Sequence, residues 1–234
     1  MSFEPAKRKI VAPKIAIMGV SGGGKTYSAL RFARGFVGPS GRIAFIDTEN
    51  GSASLYSNLT PFDVCNIRPI QAPGVATSAF NTTDFVNAIA DAVKARYDFL
   101  VIDSASNVWA SCLELKARLD ANGGNQFTNW KVPKERLAQV KNAILQAPVP
   151  VLCCFRCKTE YVLETTENGG TVPRRVGLAP VASTDWDYDY SLVLSVDRNH
   201  KASVIKSRSD VFNDDFNKVL DESDGERFRQ WVKG

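Results

Sequence analysis

One glycine-rich segment carries the residue types that bind phosphate. Residues 19–26 read Gly-Val-Ser-Gly-Gly-Gly-Lys-Thr, which satisfies the pattern G-x-x-x-x-G-K-[ST]. Glycines let the backbone approach an anion closely, so that successive N–H groups point at phosphate oxygens, and a following helix directs its positive dipole end there. In this pattern the lysine reaches the β and γ phosphates and the threonine ligates Mg²⁺. The segment predicts a nucleoside-triphosphate site with these contacts: Gly19, Ser21, Gly22, Gly23, Gly24, Lys25, Thr26 and Tyr27.

Acidic residues follow two other apolar runs. Asp103 ends the run Phe-Leu-Val-Ile at 99–102, and an aspartate at the end of a central strand can hold magnesium through water. Asp47 and Glu49 follow the run at 43–46, and hydrolysis of a triphosphate needs a group that deprotonates water. The carboxyl ends of parallel strands meet at one edge, so these acids should lie together. From residue type alone, Asp47 could equally be a turn residue and Glu49 a solvated surface acid.

The five cysteines do not form a recognisable metal site. Cys154 and Cys157 make one CxxC, but zinc would need four ligands, and the chain has a single histidine and no second CxxC. A redox pair is an open alternative. We expect buried, reduced cysteines.

The elements that position these residues alternate along the chain. Strands are predicted at 15–18, 43–46, 64–67, 99–102, 149–155, 159–165, 171–177, 190–196 and 201–207, and helices at 25–36, from Asp84, at 108–119, from Pro133 to Gln146 and at 226–232. Strands that alternate with crossover helices predict an α/β fold with a mostly parallel sheet. We expect a basic N-terminal arm at 1–12 and one domain at 13–234.

Composition and charge exclude several classes of protein. Of 234 residues, 44% are hydrophobic and 23% are charged, which excludes disordered, collagen-like and coiled-coil chains. The net charge of +4 is too small to prove a polyanionic partner. No apolar run has the 18 residues of a membrane span, so we expect a cytoplasmic protein with no membrane contact.

Several motifs together resemble a known family. GVSGGGKT, FIDTENGSA and FLVIDSASNVW resemble the core of RecA-type recombinase ATPases. FRCKTEYV, VPRRVGLAPV and DYDYSLVLSVD resemble phage-encoded, core-only RecA-like ATPases, which include Sak-type single-strand annealing proteins. The resemblance covers about 13–210. It implies a RecA-like P-loop ATPase core with C-terminal antiparallel strands, ATP and Mg²⁺ as cofactors, Glu49 as the catalytic glutamate, and Asp103 with Ser104 at the magnesium. A phage-encoded protein would act in the host cytoplasm.

The chain departs from this family at one position. The strand VPVLCCF runs into Arg156, where recombinases of this class usually carry Gln or Asn. Arginine can contact a γ-phosphate, but it cannot accept a hydrogen bond as an amide can. We count Arg156 among the nucleotide contacts, while its coupling to DNA stays open.

Two segments occupy the places of the family's DNA loops. The first contains Phe127, Trp130 and Lys131, and the second contains Lys158, Arg174 and Arg175. Aromatic rings stack on bases and cations neutralise phosphates, which is how single strands are held without sequence readout. Residue types alone favour a core position for Trp130 and a solvated face for the arginines, whereas the resemblance favours DNA contact.

Other residues predict assembly. Lys206 and Arg208 lie two apart in a predicted strand and therefore share a face, and they resemble the K-x-R fingers of hexameric RecA-like ATPases, which act on a neighbour's γ-phosphate. A solvated edge strand is the alternative. Phe3 and Ala6 fit F-x-x-A, which resembles the polymerisation motif of eukaryotic and archaeal recombinases. We expect a homo-oligomer, either a ring or a filament.

The leading functional hypothesis is a DNA-stimulated ATPase that binds single-stranded DNA and promotes annealing or strand pairing in phage recombination. A single-strand DNA-binding protein is a further expected partner. The alternatives are a P-loop nucleotide kinase, for which Arg174 and Arg175 would form the lid, and a scaffold that binds ATP without hydrolysing it. A helicase core is a related hypothesis.

Overall fold

The computed structural model describes residues 12–71, 77–165 and 171–234, and its centre is one sheet. The strands are β1 (Lys14–Gly19), β2 (Ile43–Asp47), β3 (Asp63–Asn66), β4 (Phe99–Asp103), β5 (Val151–Thr165), β6 (Thr171–Pro180), β7 (Leu192–Val196), β8 (Lys201–Ser207) and β9 (Asn217–Val219). Their order is β3-β2-β4-β5-β1-β7-β8-β9, with β6 paired to β5. From β3 to β7 the path is parallel, and β8 and β9 pair antiparallel. The predicted fold class is confirmed.

Helices cover both faces of this sheet. They are α1 (Lys25–Val37), α2 (Thr82–Lys94), α3 (Ser106–Ala121), α4 (Lys131–Gln146) and α5 (Glu222–Lys233). Side chains of α1 and α5 pack in one apolar cluster, and those of α2, α3 and α4 pack in a second. Successive residues of β1 enter opposite clusters, Ile15 and Ile17 the first and Ala16 and Met18 the second. Strands covered on both faces read as continuous apolar runs, which is why the sequence predicts them.

The last helix is longer than the predicted 226–232. Asp221 begins it with a capping box, in which its side chain accepts from the Ser223 N–H at 2.9 Å and the Asp224 side chain accepts from the Asp221 N–H at 3.0 Å. Gly225 lies where α5 crosses α1, and a Cβ there would collide with the Phe32 carbonyl oxygen. Close helix packing therefore requires glycine at this position inside α5.

Other boundaries moved by a few residues. The helix predicted from Asp84 begins at Thr82, because Asn81 caps it by accepting from the Thr83 N–H at 3.2 Å. The predicted antiparallel pairing of 159–165 with 171–177 is confirmed by β5 and β6. Their connecting turn at 166–170 lies outside the described residues, as does the arm at 1–11.

The cysteine prediction holds for some positions and fails for one. Cys112, Cys153 and Cys154 are buried and Cys157 is half-buried, but Cys65 is exposed because β3 is the edge strand of the sheet. Within 12–71, 77–165 and 171–234, none of the helices combines the length and apolar character that crossing a bilayer requires.

Candidate active site

The glycine loop joins β1 to α1 at the carboxyl edge of the sheet. Gly22 and Gly24 have φ values of 74° and 87°, in the left-handed region that favours glycine. Lys25 is buried, and its Nζ donates to the Val20 carbonyl oxygen at 3.1 Å, which folds the side chain back over the loop. The Ser28 N–H donates to the Gly24 carbonyl oxygen at 2.9 Å and starts the helix. The first turn of α1 is therefore aimed at the space above the loop, where an anion is favoured.

Thr26 and Asp103 lie side by side at this edge. The Thr26 hydroxyl donates to Asp103 Oδ2 at 2.6 Å. Burial raises the pKa of Asp103 to about 6, opposed by the Thr26 hydrogen bond and reinforced by the Glu49 charge. Asp103 Oδ1 is buried without a hydrogen-bond partner among the described residues. A buried, unpaired carboxylate oxygen beside a hydroxyl fits a hard cation, so these two residues suit Mg²⁺.

Ser104 does not join this pair. It is completely buried, and its hydroxyl donates to the Cys154 carbonyl oxygen at 3.3 Å, on the neighbouring strand β5. The Asp103–Ser104 peptide bond is cis. The Ser104 hydroxyl is thus directed toward β5 rather than toward Thr26, and its role at the magnesium stays a prediction.

The two acids after β2 have different contacts. Asp47 is buried, and its carboxylate accepts from the backbone N–H groups of Glu49 and Ala53, so it is the turn residue. Glu49 is half-buried and lines the same cavity as Lys25 and Thr26. The structure brings Glu49 to the phosphate site and leaves Asp47 to hold the turn.

A single open cavity of about 690 Å³ joins these residues. Predicted contacts that line it are Ser21, Gly22, Gly24, Lys25, Thr26, Tyr27, Glu49 and Arg156. Six further lining residues were not predicted as contacts: Ser52, Leu55, Tyr56, Cys157, His200 and Val219. His200 comes from the turn between β7 and β8, and its imidazole lies against Gly24. His200 reaches the glycine loop because β7 lies next to β1 in the sheet, and local sequence patterns do not give this strand order.

The first predicted DNA segment has one exposed ring and one covered ring. Phe127 is 89% exposed, and Lys131 is exposed at the start of α4. Trp130 is half-buried and stacks on Trp109, with ring centroids 6.0 Å apart and planes at 12°. Lys116 Nζ lies 5.6 Å from the Trp130 ring centroid. Phe127 is thus the accessible aromatic of this segment.

The second predicted DNA segment is the strand pair β5–β6. Lys158 is exposed, one residue beyond the half-buried Cys157. Arg174 and Arg175 lie in β6 opposite Val162 and Tyr161, and their side chains fall outside what is described. Phe3 and Ala6 lie outside the described residues altogether.

Lys206 and Arg208 share a face, as predicted. Lys206 Nζ donates to the carbonyl oxygens of Asp187 and Tyr188 at 2.6 and 2.9 Å, and Arg208 donates to the Tyr188 carbonyl oxygen at 3.0 Å. Neither residue lines the cavity above the glycine loop of the same chain. The Tyr188 carbonyl oxygen therefore accepts from both cations within the chain.

Comparisons with known proteins add a family match. A family model described as an AAA domain matches residues 12–204. No curated protein matches the sequence. Among solved structures, the chain is similar to a KaiC-like protein from the hyperthermophilic archaeon Pyrococcus horikoshii, with 16% identity, a TM-score of 0.48, and coverage of 85% of this chain and 81% of that one.

Proposed function

Because this chain belongs to the AAA domain family, we propose that it is a RecA-like ATPase that binds single-stranded DNA. In this proposal it acts as a homo-oligomer that anneals or pairs strands during phage recombination, with DNA stimulating hydrolysis. The observation that carries the ATPase part is the convergence of Lys25, Thr26 and Glu49 on one cavity, with Asp103 bonded to Thr26.

Each of these residues has a distinct role in hydrolysis. Lys25 neutralises charge on the β and γ phosphates, and the N–H groups of the glycine loop hold the phosphate oxygens in place. Glu49 orients the attacking water and takes its proton, because it lines the cavity with Lys25, whereas Asp47 is used by the turn and Asp103 is bonded to Thr26. Thr26 and Asp103 would hold Mg²⁺, which when bound supplies positive charge to the terminal phosphates.

Support for DNA binding comes from the loop between α3 and α4. Phe127 projects into solvent with 89% of its surface exposed, although large apolar side chains favour burial. Exposed Lys131 lies four residues further on. A stacking ring beside a cation suits a single strand, whose bases and phosphates are both accessible. A nucleotide kinase would not require an exposed ring at this position.

The test is the salt dependence of DNA binding. Affinity for a fluorescent single-stranded oligonucleotide, measured by anisotropy with an ATP analogue, should fall steeply as salt rises, because phosphate contacts release counterions. Arg174→Ala with Arg175→Ala should reduce the slope of log K against log salt by about 1.4 if each arginine makes one phosphate contact, since each contact with a single strand contributes about 0.7. Phe127→Ala should weaken binding by about 1–3 kcal/mol with little change in slope, since stacking involves no charge.

The matched control removes two arginines elsewhere. Arg227→Ala with Arg229→Ala makes the same change in net charge on α5, at the opposite face of the sheet from α3 and α4. This control should keep the wild-type slope. Equal slopes for wild type and the β6 double variant would contradict a backbone contact there. ATP consumption that requires a nucleoside monophosphate and ignores DNA would favour the kinase instead.

A further inference from the structure

Asn107 joins two strands of the candidate site through its side-chain amide. It lies in the first turn of α3 and is 7% exposed. Its Nδ2 donates to the Thr48 hydroxyl at 2.8 Å and to the Thr48 carbonyl oxygen at 3.3 Å. Its Oδ1 accepts from the Arg156 guanidinium. One amide therefore bridges the end of β2 to the end of the buried part of β5.

The Thr48 side of this bridge is fixed. The Thr48 N–H donates to the Asp103 carbonyl oxygen at 2.8 Å, and the Thr48 hydroxyl accepts from the Ser104 N–H at 2.8 Å. Thr48 is buried and directly precedes Glu49. The amide is thus anchored to the same backbone that presents Glu49 and Asp103.

The Arg156 side of the bridge faces the cavity. The Arg156 backbone N–H donates to the Ser106 hydroxyl at 2.9 Å, and Arg156 pairs in register with Gly19, where the glycine loop begins. Its guanidinium is exposed and lines the cavity that contains Lys25 and Glu49. Beyond Arg156, β5 leaves the sheet core and continues into the β6 hairpin.

The amide group suits this position chemically. Arg156 carries only donors and needs an acceptor, whereas the Thr48 carbonyl needs a donor. A side-chain amide supplies both on one rigid group. The arginine guanidinium is planar and carries five N–H donors. When Asn107 accepts from donors on one side of this group, the donors on the other side remain free to contact a ligand in the cavity.

We infer that Asn107 is a positioning residue that holds Arg156 toward the terminal phosphate of a bound nucleoside triphosphate. The inference rests on the proposed ATP site and assigns it a device that distinguishes ATP from ADP. A guanidinium that is already held in place loses little conformational freedom when it contacts the γ-phosphate. The preorganised Arg156 therefore raises the affinity for ATP and not for ADP, which lacks that phosphate. The backbone contacts of Thr48 connect the same device to Glu49.

The experiment compares affinities for ADP and for the non-hydrolysable analogue AMP-PNP by titration calorimetry, with ATP turnover measured in parallel. Asn107→Ala should weaken AMP-PNP binding about tenfold and leave ADP within about twofold, because one charge-assisted hydrogen bond is affected. Turnover should fall about tenfold. Arg156→Ala should lose the same selectivity, and the double variant should lose no more than Arg156→Ala alone, since the two residues act as one unit.

Two further variants separate positioning from stability. Ser111→Ala removes another buried polar group of α3, whose hydroxyl donates to the Asn107 carbonyl oxygen at 2.6 Å, so it should lower the melting temperature and keep the nucleotide selectivity. Arg156→Lys changes only an exposed side chain and keeps its charge. It should still lose the preference for AMP-PNP over ADP, because a compact ammonium cannot be held by Asn107 on one side while it contacts a phosphate on the other. If Asn107→Ala does not fold, Arg156→Lys tests the inference in its place.

Losses that multiply in the double variant, or wild-type selectivity in Asn107→Ala or Arg156→Lys, would overturn the inference. A wild-type chain that binds neither nucleotide contradicts the proposed function itself. A wild type that binds and hydrolyses ATP but binds AMP-PNP and ADP equally contradicts only the role of Asn107.

Discussion

Asp47 and Glu49 lie two residues apart after β2, and their surroundings give them different tasks. Both oxygens of Asp47 accept from backbone N–H groups of the following turn. These contacts orient the turn so that Glu49 reaches the cavity with Lys25 and Thr26. A structural carboxylate therefore positions the carboxylate that we propose as the general base, and the two should respond differently to substitution.

Glu49→Gln should leave ATP binding nearly intact and stop hydrolysis, because the amide keeps the shape and loses the base. A loss of about 10²–10⁴-fold in turnover is the usual effect of removing a general base. Lys25→Ala should weaken nucleotide binding itself, since it removes a cation from the phosphates. Phosphate release and calorimetric binding, measured on the same preparations, separate the two effects. Equal turnover in Glu49→Gln and wild type would exclude Glu49 from the mechanism.

The sequence predicts part of this site and misses another part for a physical reason. Lys25, Thr26 and Asp103 belong to local patterns, in which spacing along the chain fixes geometry. His200 and Asn107 reach the site through the packing of separate elements, and no spacing along the chain assigns either of them a contact. Tertiary contacts of this kind depend on strand order, which no local pattern encodes.

At the scale of elements, Lys14 places an ammonium inside the protein at the start of β1. It is 5% exposed, and its Nζ donates to the carbonyl oxygens of Ala147 and Val149 at 2.7 and 2.9 Å, where α4 ends and β5 approaches. Burial lowers the pKa of Lys14 from 10.5 to about 8, partly offset by Cys153. The lysine satisfies two carbonyls at the cost of burying charge.

The lowered pKa of Lys14 by itself makes the free energy of unfolding rise with pH. Above about pH 8 the folded protein loses the Lys14 proton, while the unfolded chain keeps it to about 10.5, so the unfolded state binds more protons. The free energy of unfolding should increase by about 1 kcal/mol from pH 8 to 9 through this group. Urea titrations at both pH values measure the change.

The control for Lys14 uses two methionine variants. Lys14→Met should lower overall stability, since two carbonyls lose their donor, and from pH 8 to 9 its free energy of unfolding should change by about 1 kcal/mol less favourably than that of the wild type. Lys94→Met, at an exposed lysine of α2, should keep the wild-type change. If the free energy of unfolding changes equally between pH 8 and 9 in all three proteins, groups other than Lys14 cause the change. The pKa values of the five thiols are raised from 9.0, chiefly by desolvation, so the unfolded chain loses these protons first and stability falls through them as the pH approaches 9. This contribution is the same in all three proteins and cancels when they are compared.

At the scale of the whole molecule, strand order separates the basic pair of β8 from its own nucleotide site. Lys206 pairs with Val193, and Val193 pairs with Ala16, three residues below the start of the glycine loop at Gly19. At about 3.3 Å per residue, this places Lys206 about 10 Å down the sheet and two strands across. Arg208 lies lower still, since its N–H donates to the Ser191 carbonyl oxygen. This pair therefore lies away from the glycine loop of its own chain.

Strand order is also where prediction from sequence stops. The alternation of apolar runs and helices predicts a mostly parallel sheet, but it does not reveal that β5 lies between β1 and β4. That insertion brings Arg156 beside Gly19 and within reach of Asn107. Likewise, two cations two residues apart predict a shared face, and only the register shows which edge of the sheet that face occupies.

If Lys206 and Arg208 act on a phosphate, the geometry therefore requires the phosphate of a neighbouring subunit. Arg208→Ala and Glu49→Gln should each abolish ATP hydrolysis in a pure oligomer. When the two variants are mixed, some interfaces combine an intact Arg208 with an intact Glu49, so turnover should partly return, because an arginine finger can contribute orders of magnitude to the rate. Co-assembly is verified by pulling down one tagged variant with the other. Co-assembled mixtures that remain inactive would contradict a shared site.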